Sequence, residues 1–359
     1  MVSTDKRAQC PVFVIGCHRS GTNLLYDVLL SAGGFAVYRG YLPIYKMLIP
    51  HFGSMAQPDN RRRMVGTWLR SKGFRRAGLN ADEIGEKLMR DGRNGGDFFR
   101  IVMEDIAAQQ GMPRWAVYDA DNVLYIRQIK TDLPNALFVH IVRDGRDVAL
   151  SLRKMGEFRP IPWDRKAASL EATAVYWRWM VETGRAHGSL FPDDYYEVRY
   201  EDVVTTPQEV LPGLGRFLGQ NLDYARIQNQ KMGRLQESNS SFRGSNAPVE
   251  ANPIQRWKRM LSTEEVAALE ALVGDCLQAS GYALSTSPKD RPSNLAIPWM
   301  RTVYPALLDA KLWLKTRTPL GRFSGLTSLE LTEMEDSPAE PSAIEESEEK
   351  PENVSEQRQ

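Results

Sequence analysis

A chain of 359 residues that is 42% hydrophobic carries ample material for a large buried core. Its formal net charge of +1 excludes the strong global field of a nucleic-acid binder, although the acidic C-terminal end leaves the rest of the chain distinctly basic, as suits an anionic ligand. Cys10, Cys17 and Cys276 fit neither a disulfide framework nor C-x-x-C metal spacing, the N-terminus lacks a signal-peptide pattern, and no apolar run reaches the ~18 residues of a membrane helix. A cytoplasmic protein without a transmembrane segment or bound metal is expected.

Val12 to Ile15 reads as a short, fully buried strand, and Thr22 to Ser31 as a helix with Leu24, Leu25, Val28 and Leu29 on one face. Gly16 to Gly21 is the turn between them. Residues 38–112 are helical in pattern and rich in arginine, a candidate acceptor insertion or lid. Within them Arg61 to Arg63, Arg75 and Arg76 read first as a solvated face, which an acidic glycan or phosphorylated acceptor could use. Trp115 to Tyr118 predicts a second strand, Val123 to Lys130 a helix, and Leu137 to Val142 a third strand, followed by a helix from Asp147 toward Lys154.

Beyond "FRPIPWD", residues 158–164, a long helix is expected over Lys166 to Gly188, with Trp177 and Trp179 as packing residues, then a strand in "YYEVRYEDVVTTP" and a helix from Gln208 to Leu218. Residues 238–252 form a polar loop, and Ser262 or Thr263 caps the next helix. Ile297 to Phe323 reads as an amphipathic packing helix, with peripheral membrane contact as the other reading. Residues 330–359 form an acidic tail too poor in apolar residues to order itself. Alternating buried strands and helices predict an α/β domain over residues 1–325, a mostly parallel sheet flanked by helices. Oligomeric state is not legible.

The turn "GCHRSGTN" raises the functional question. Gly16 and Gly21 have the spacing of a phosphate-binding loop, but Thr22 and Asn23 stand where lysine and a magnesium-binding hydroxyl are needed. Strand-to-helix placement aims the Ser20, Gly21, Thr22 and Asn23 amides at an anion, and Arg19 supplies a two-pronged cation in place of the lysine. His18 either touches the same anion or shapes the turn. In "LFVHIVRDGRDVALSL", Arg143 at a strand end and Ser151 on the next helix can converge on a second phosphate, away from the first. Two phosphate cradles imply a ligand phosphorylated at both ends.

Together these motifs resemble the PAPS-dependent sulfotransferase family, whose donor is 3′-phosphoadenosine 5′-phosphosulfate, and bacterial members above all. "VRYEDVVTTP" is similar to the family's Y-E-D segment, and "NPIQRWKRMLSTEE" with a closing "GY" to the C-terminal region of bacterial members. The resemblance implies a P-loop-like sulfotransferase fold, a small-molecule, glycan or lipid acceptor, and no metal. It implies that Arg19, Ser20, Gly21, Thr22 and Asn23 bind the 5′-phosphosulfate, that Arg143 and Ser151 bind the 3′-phosphate, that Tyr200 lies near the adenine, and that Lys258 reaches the nucleotide. The R-K-G ending of cytosolic animal members is absent.

The family's general base, a Glu after the first helix or a His after the second strand, is missing as well. Asp119 falls at the second of these positions, where burial would raise its pKa to a useful value. Either Asp119 or Asp121 also suits a helix cap. His51 is the next candidate base, while His140 and His187 read as structural. Two alternatives stand beside sulfuryl transfer: a metal-dependent P-loop kinase or NTPase, and a catalytically silent binding protein of the same fold.

Overall fold

The structure, a computed structural model, describes residues 6–155, 169–236, 254–293, 296–323 and 326. The tail expected at 330–359, the loop at 238–252, the 158–164 stretch and the first residues of the helix expected from Lys166 lie outside the described residues.

Five parallel strands form the sheet in the order β2-β3-β1-β4-β5: β1 is Val12–Gly16, β2 Phe35–Ala36, β3 Arg114–Tyr118, β4 Leu137–Val142 and β5 Tyr195–Arg199. β1 is buried over its whole length because it lies between two neighbours and two helical layers. Its side chains divide with the two-residue period of a strand. Phe13 and Ile15 enter one core, where the Phe13 ring meets Phe99, Trp115 and Phe138 at 5.3, 6.0 and 5.5 Å between centroids. Val12 and Val14 enter the other core, with Ala116, Val139 and Ile141.

Helix α1 (Thr22–Ala32) and the helix Pro207–Leu218 cover the second face. The first face is covered by α2 (Gly95–Gln109), α3 (Gly145–Lys154), α4 (Leu170–Gly188) and α5 (Thr263–Ala279). After β1 the chain turns toward β2, and after β4 it turns the opposite way toward β5. The strand ends of β1 and β4 therefore flank a topological switch point, the usual ligand crevice of such sheets.

The segment between β2 and β3 is helical, as expected, and includes Pro58–Leu69 and Ala81–Asp91 as well as α2. One arginine of this region departs from its expected role: Arg61 is buried and its guanidinium donates to the carbonyls of Met55 and Gly92, so it pins two turns rather than facing solvent. Helix boundaries move in two places. The helix expected from Val123 is a 3-10 turn, Ala120–Tyr125, before the helix Ile126–Asp132, and Asp119 caps it by accepting the Asp121 N–H at 3.0 Å. At α5 the cap is Ser262, paired with Glu265 in a capping box.

The last long helix, α6 (Ala296–Arg317), buries Tyr304 and Leu308 against the body. Trp179 donates its indole N–H to Asp309 at 2.7 Å, and Arg301 reaches Asp275 at 2.8 Å, so α6 packs on α4 and α5. It leaves Trp299, Val303 and Trp313 exposed. No helix among the described residues is long and apolar enough to cross a membrane.

Candidate anion-binding and transfer site

The loop after β1 holds a backbone that few sequences tolerate. Arg19 has φ 70° and Gly21 φ 101°, so the chain reverses tightly before α1. A Cβ on Gly21 would stand 2.4 Å from the Tyr200 ring, which excludes any other residue there. Gly21 is also the N-cap of α1 and supplies no side-chain cap, so the first amides of α1 keep their donor capacity. One expected donor is withdrawn: the Ser20 N–H is spent on the Cys17 carbonyl at 3.0 Å. Its hydroxyl is left over: Ser20 Oγ is fully buried and has no hydrogen-bond partner among the described residues.

The second half of the site follows β4. Arg143 is buried, donates to the Arg19 carbonyl at 3.1 Å, and lies over the Tyr200 ring at 4.5 Å. From α3, Ser151 Oγ accepts the Arg19 Nε–H at 3.0 Å. The loop and the Arg143–Ser151 pair are thus in contact, not apart as their sequence spacing implied, because Arg19 reaches across the switch point. Tyr200 is buried and meets Gly21 as well as Arg143, so its ring packs between the loop and the end of β4.

The remaining family-like segments brace this junction. Glu201 accepts the Asp144 N–H at 3.1 Å and the Tyr282 hydroxyl at 2.6 Å, which ties the Y-E-D segment and the closing G-Y to the turn between β4 and α3. Asp147 accepts the backbone N–H groups of Gln255 and Trp257 at 2.8 and 2.9 Å, and the Arg146 guanidinium lies 3.8 Å from the centre of the Trp257 ring. The R-W-K element therefore docks on the start of α3. Lys258 stays exposed beside Trp257, on the rim.

On the other side of the loop His18 begins a charged cluster. His18 Nε2 lies 3.2 Å from Asp121 Oδ1, and Lys46 pairs with Asp121 Oδ2. Burial pushes the Asp121 carboxyl up, but the Lys46 ammonium and His18 outweigh it and hold it well below the usual carboxylate range. Burial lowers the His18 pKa and Asp121 raises it, with a net rise that favours imidazolium. Asp119, next in the cluster, is raised to about 6, by burial first and the Asp121 charge second. Lys46 was not foreseen. It sits on a π-turn, Ile44–Leu48, and its only sequence signal is a lone cation inside the apolar run "LPIYKMLIP".

His51 is held elsewhere. It packs edge-on against Phe52 at 4.6 Å and lines a groove with Arg63, Arg317 and Phe323, whereas His18, Lys46 and Asp121 line a neighbouring cleft. His140 is buried in β4 against Tyr195, consistent with a structural role. Among the described residues no group of three or more His, Cys, Asp or Glu could hold a metal ion.

Comparison with known proteins bears on the family and the fold. The family model described as "Sulfotransferase family" matches residues 11–224, more than half of the chain and the span from β1 through β5. The sulfotransferase domain of the olefin synthase of Synechococcus PCC 7002 superposes with a TM-score of 0.50 at 19% identity, covering 77% of this chain and 96% of that one. The sulfotransferase domain of the curacin biosynthetic pathway gives a TM-score of 0.49 at 16% identity, covering 76% and 98%. No curated protein matches the chain. A family match over β1, the phosphate-type loop, the Arg143 cradle and the Y-E-D segment leaves one assignment: the chain belongs to the sulfotransferase family.

Proposed function

We propose that the protein transfers a sulfuryl group from 3′-phosphoadenosine 5′-phosphosulfate to a hydroxyl or amine of a carbohydrate, lipid or small-metabolite acceptor. The observation that carries this reading is the Arg19–Ser151 contact, which joins two anion cradles at the β1/β4 switch point. A donor with phosphate groups at both ends of one nucleoside matches that pair.

The residues fit the donor. The buried Ser20 hydroxyl, the Gly21, Thr22 and Asn23 amides and Arg19 face the 5′-phosphosulfate; Arg143 and Ser151 take the 3′-phosphate. Tyr200, with Arg143 across its ring, positions that arginine, and Lys258 offers a rim charge to the nucleotide. When bound, the donor supplies an electrophilic sulfur: the acceptor oxygen or nitrogen forms a new bond to it, the bond to the bridging phosphate oxygen breaks, and the departing bisphosphate keeps the electron pair. Arg19 stabilises the charge that grows on that oxygen. Asp119 takes the acceptor proton. His18, held toward imidazolium by Asp121, is the poorer base and the better anion contact.

Transfer of labelled sulfuryl from the donor to a panel of hydroxyl and amine acceptors, in the presence of a chelator, tests the reading. Turnover that persists without Mg²⁺ supports it. Hydrolysis of Mg-ATP with no sulfuryl transfer would establish the NTPase alternative instead.

A further inference from the structure

α6 packs on the body with the face that buries Tyr304 and Leu308, and a surface helix ordinarily turns polar side chains to water on the other side. This one does not. Trp299, Val303, Ala306, Ala310 and Trp313 are all exposed and follow one another at steps of four, three, four and three residues, so they form one apolar stripe roughly 21 Å long. Leu314 borders the stripe, and in the turn Pro319–Phe323 that follows α6, Leu320 and Phe323 are exposed as well. Scattered exposed apolar side chains are ordinary, whereas a continuous run of them marks an interaction surface.

The charge beside the stripe is of one sign. Where the stripe ends, Arg317 and Arg322 join Arg63 and Arg93 around an open groove of about 1000 Å³. All four arginines are exposed, and none of their guanidinium groups has a carboxylate partner among the described residues: Arg63 donates to the Asn60 side chain at 2.7 Å, and Arg322 lies 5.4 Å from the centre of the Phe323 ring. Among the described residues lining the groove Asp132 is the one carboxylate, and it already accepts the Tyr45 hydroxyl and the Gly95 N–H at 2.7 and 3.1 Å. The acid on α6 itself, Asp309, is engaged by the Trp179 indole.

We propose that the outer face of α6, with the turn after it, docks the protein onto an anionic membrane surface. Trp299 and Trp313 at the two ends of the stripe, with Leu320 and Phe323, enter the boundary between headgroups and acyl chains. Arg317 and Arg322 meet the lipid phosphates, with Arg63 and Arg93 in the same groove. α6 lies in the plane of the interface and does not cross it, since no helix among the described residues is long and apolar enough to span. Charge complementarity selects this occupant: an apolar stripe alone would suit a second copy of the chain, whereas arginines without carboxylate partners at its end suit a surface of many anions. Each cation brought to an anionic leaflet strengthens binding by about five-fold. The proposal does not depend on the sulfuryl-transfer reading.

The test mixes the full chain with vesicles of phosphatidylcholine alone or of phosphatidylcholine with phosphatidylglycerol and measures the bound fraction by flotation. The wild type is expected to partition at least about ten-fold more strongly onto the phosphatidylglycerol vesicles, and to come off them as salt is raised. Trp313→Ala with Phe323→Ala, and separately Arg317→Gln with Arg322→Gln, should each weaken that partition by about ten-fold or more. The melting temperature should hold in both, because all four side chains are exposed. Equal partition onto the two vesicle types, or partition that either double variant leaves unchanged, would overturn the proposal. So would a dimer that Trp313→Ala with Phe323→Ala dissociates, which would give the stripe to a second copy of the chain. A wild type that floats on neither vesicle would overturn it too, and would point the groove's cations at the acidic residues 330–359 of the chain itself.

Discussion

Asp119 joins an observed structural contact to the proposed role of base. It caps the turn Ala120–Tyr125 and stands in a buried, charged cluster that raises its pKa to about 6. A base must be ionised to accept a proton, so kcat/KM is expected to rise as pH increases through about 6 and then level off. Asp119→Asn keeps an oxygen for the cap but cannot take the proton; kcat should fall by ~10²- to 10⁴-fold while bisphosphate affinity holds, measured by turnover and by titration. Gly21→Ala forces a Cβ into the Tyr200 ring at a backbone angle that side chains avoid. It should cost about 1–3 kcal/mol of stability in a denaturant titration and abolish donor binding. The turn that carries Arg19, Ser20 and Gly21, and the strand end and helix that carry Arg143 and Ser151, were legible from loop spacing and strand period, and folding brings them into contact. The pairing of Lys46 with Asp121 was not, because the two meet only in three dimensions, and the Ser20 amide, expected to point at an anion, donates to the Cys17 carbonyl.

At the scale of elements, the strands and the amphipathic helices were readable from period and caps. Two-residue β2 has no period to read, and the 3-10 turn after β3 was absorbed into the following helix because both share an apolar face. β4 carries a pH-sensitive element through His140, fully buried, whose pKa is lowered to about 4 by burial above all. The unfolded chain takes up this proton near 6.5 and the folded one only near 4, so this group's contribution to stability is lost as pH falls from about 6.5 to about 4. Melting curves across that window should show a slope that His140→Gln reduces. On α3, Asp147 holds the backbone of the R-W-K element. Asp147→Asn is expected to release it, seen as faster amide exchange at Gln255 and Trp257, and to weaken bisphosphate binding, since the neighbouring Arg143 guanidinium lies 4.0 Å from the Asp147 carboxylate.

For the molecule as a whole, a parallel sheet buried on both faces forces function to its strand ends. The β1/β4 switch point concentrates there the loop, the Arg143 and Ser151 side chains, the Y-E-D brace and the charged cluster. The sequence pattern carried the sheet and the loop after β1 because those residues lie within short, regular stretches. The cluster of His18, Lys46 and Asp121 is assembled from segments far apart in the chain, and only folding brings them together. The most direct measurement is a thermal-shift titration with 3′-phosphoadenosine 5′-phosphate beside Mg-ATP, on the wild type and on Arg143→Ala with Ser151→Ala. At ~100 times its dissociation constant the bisphosphate should add ~2.7 kcal/mol to the wild type and nothing to the double variant, with no response to Mg-ATP. Stabilisation by Mg-ATP alone would contradict the donor assignment.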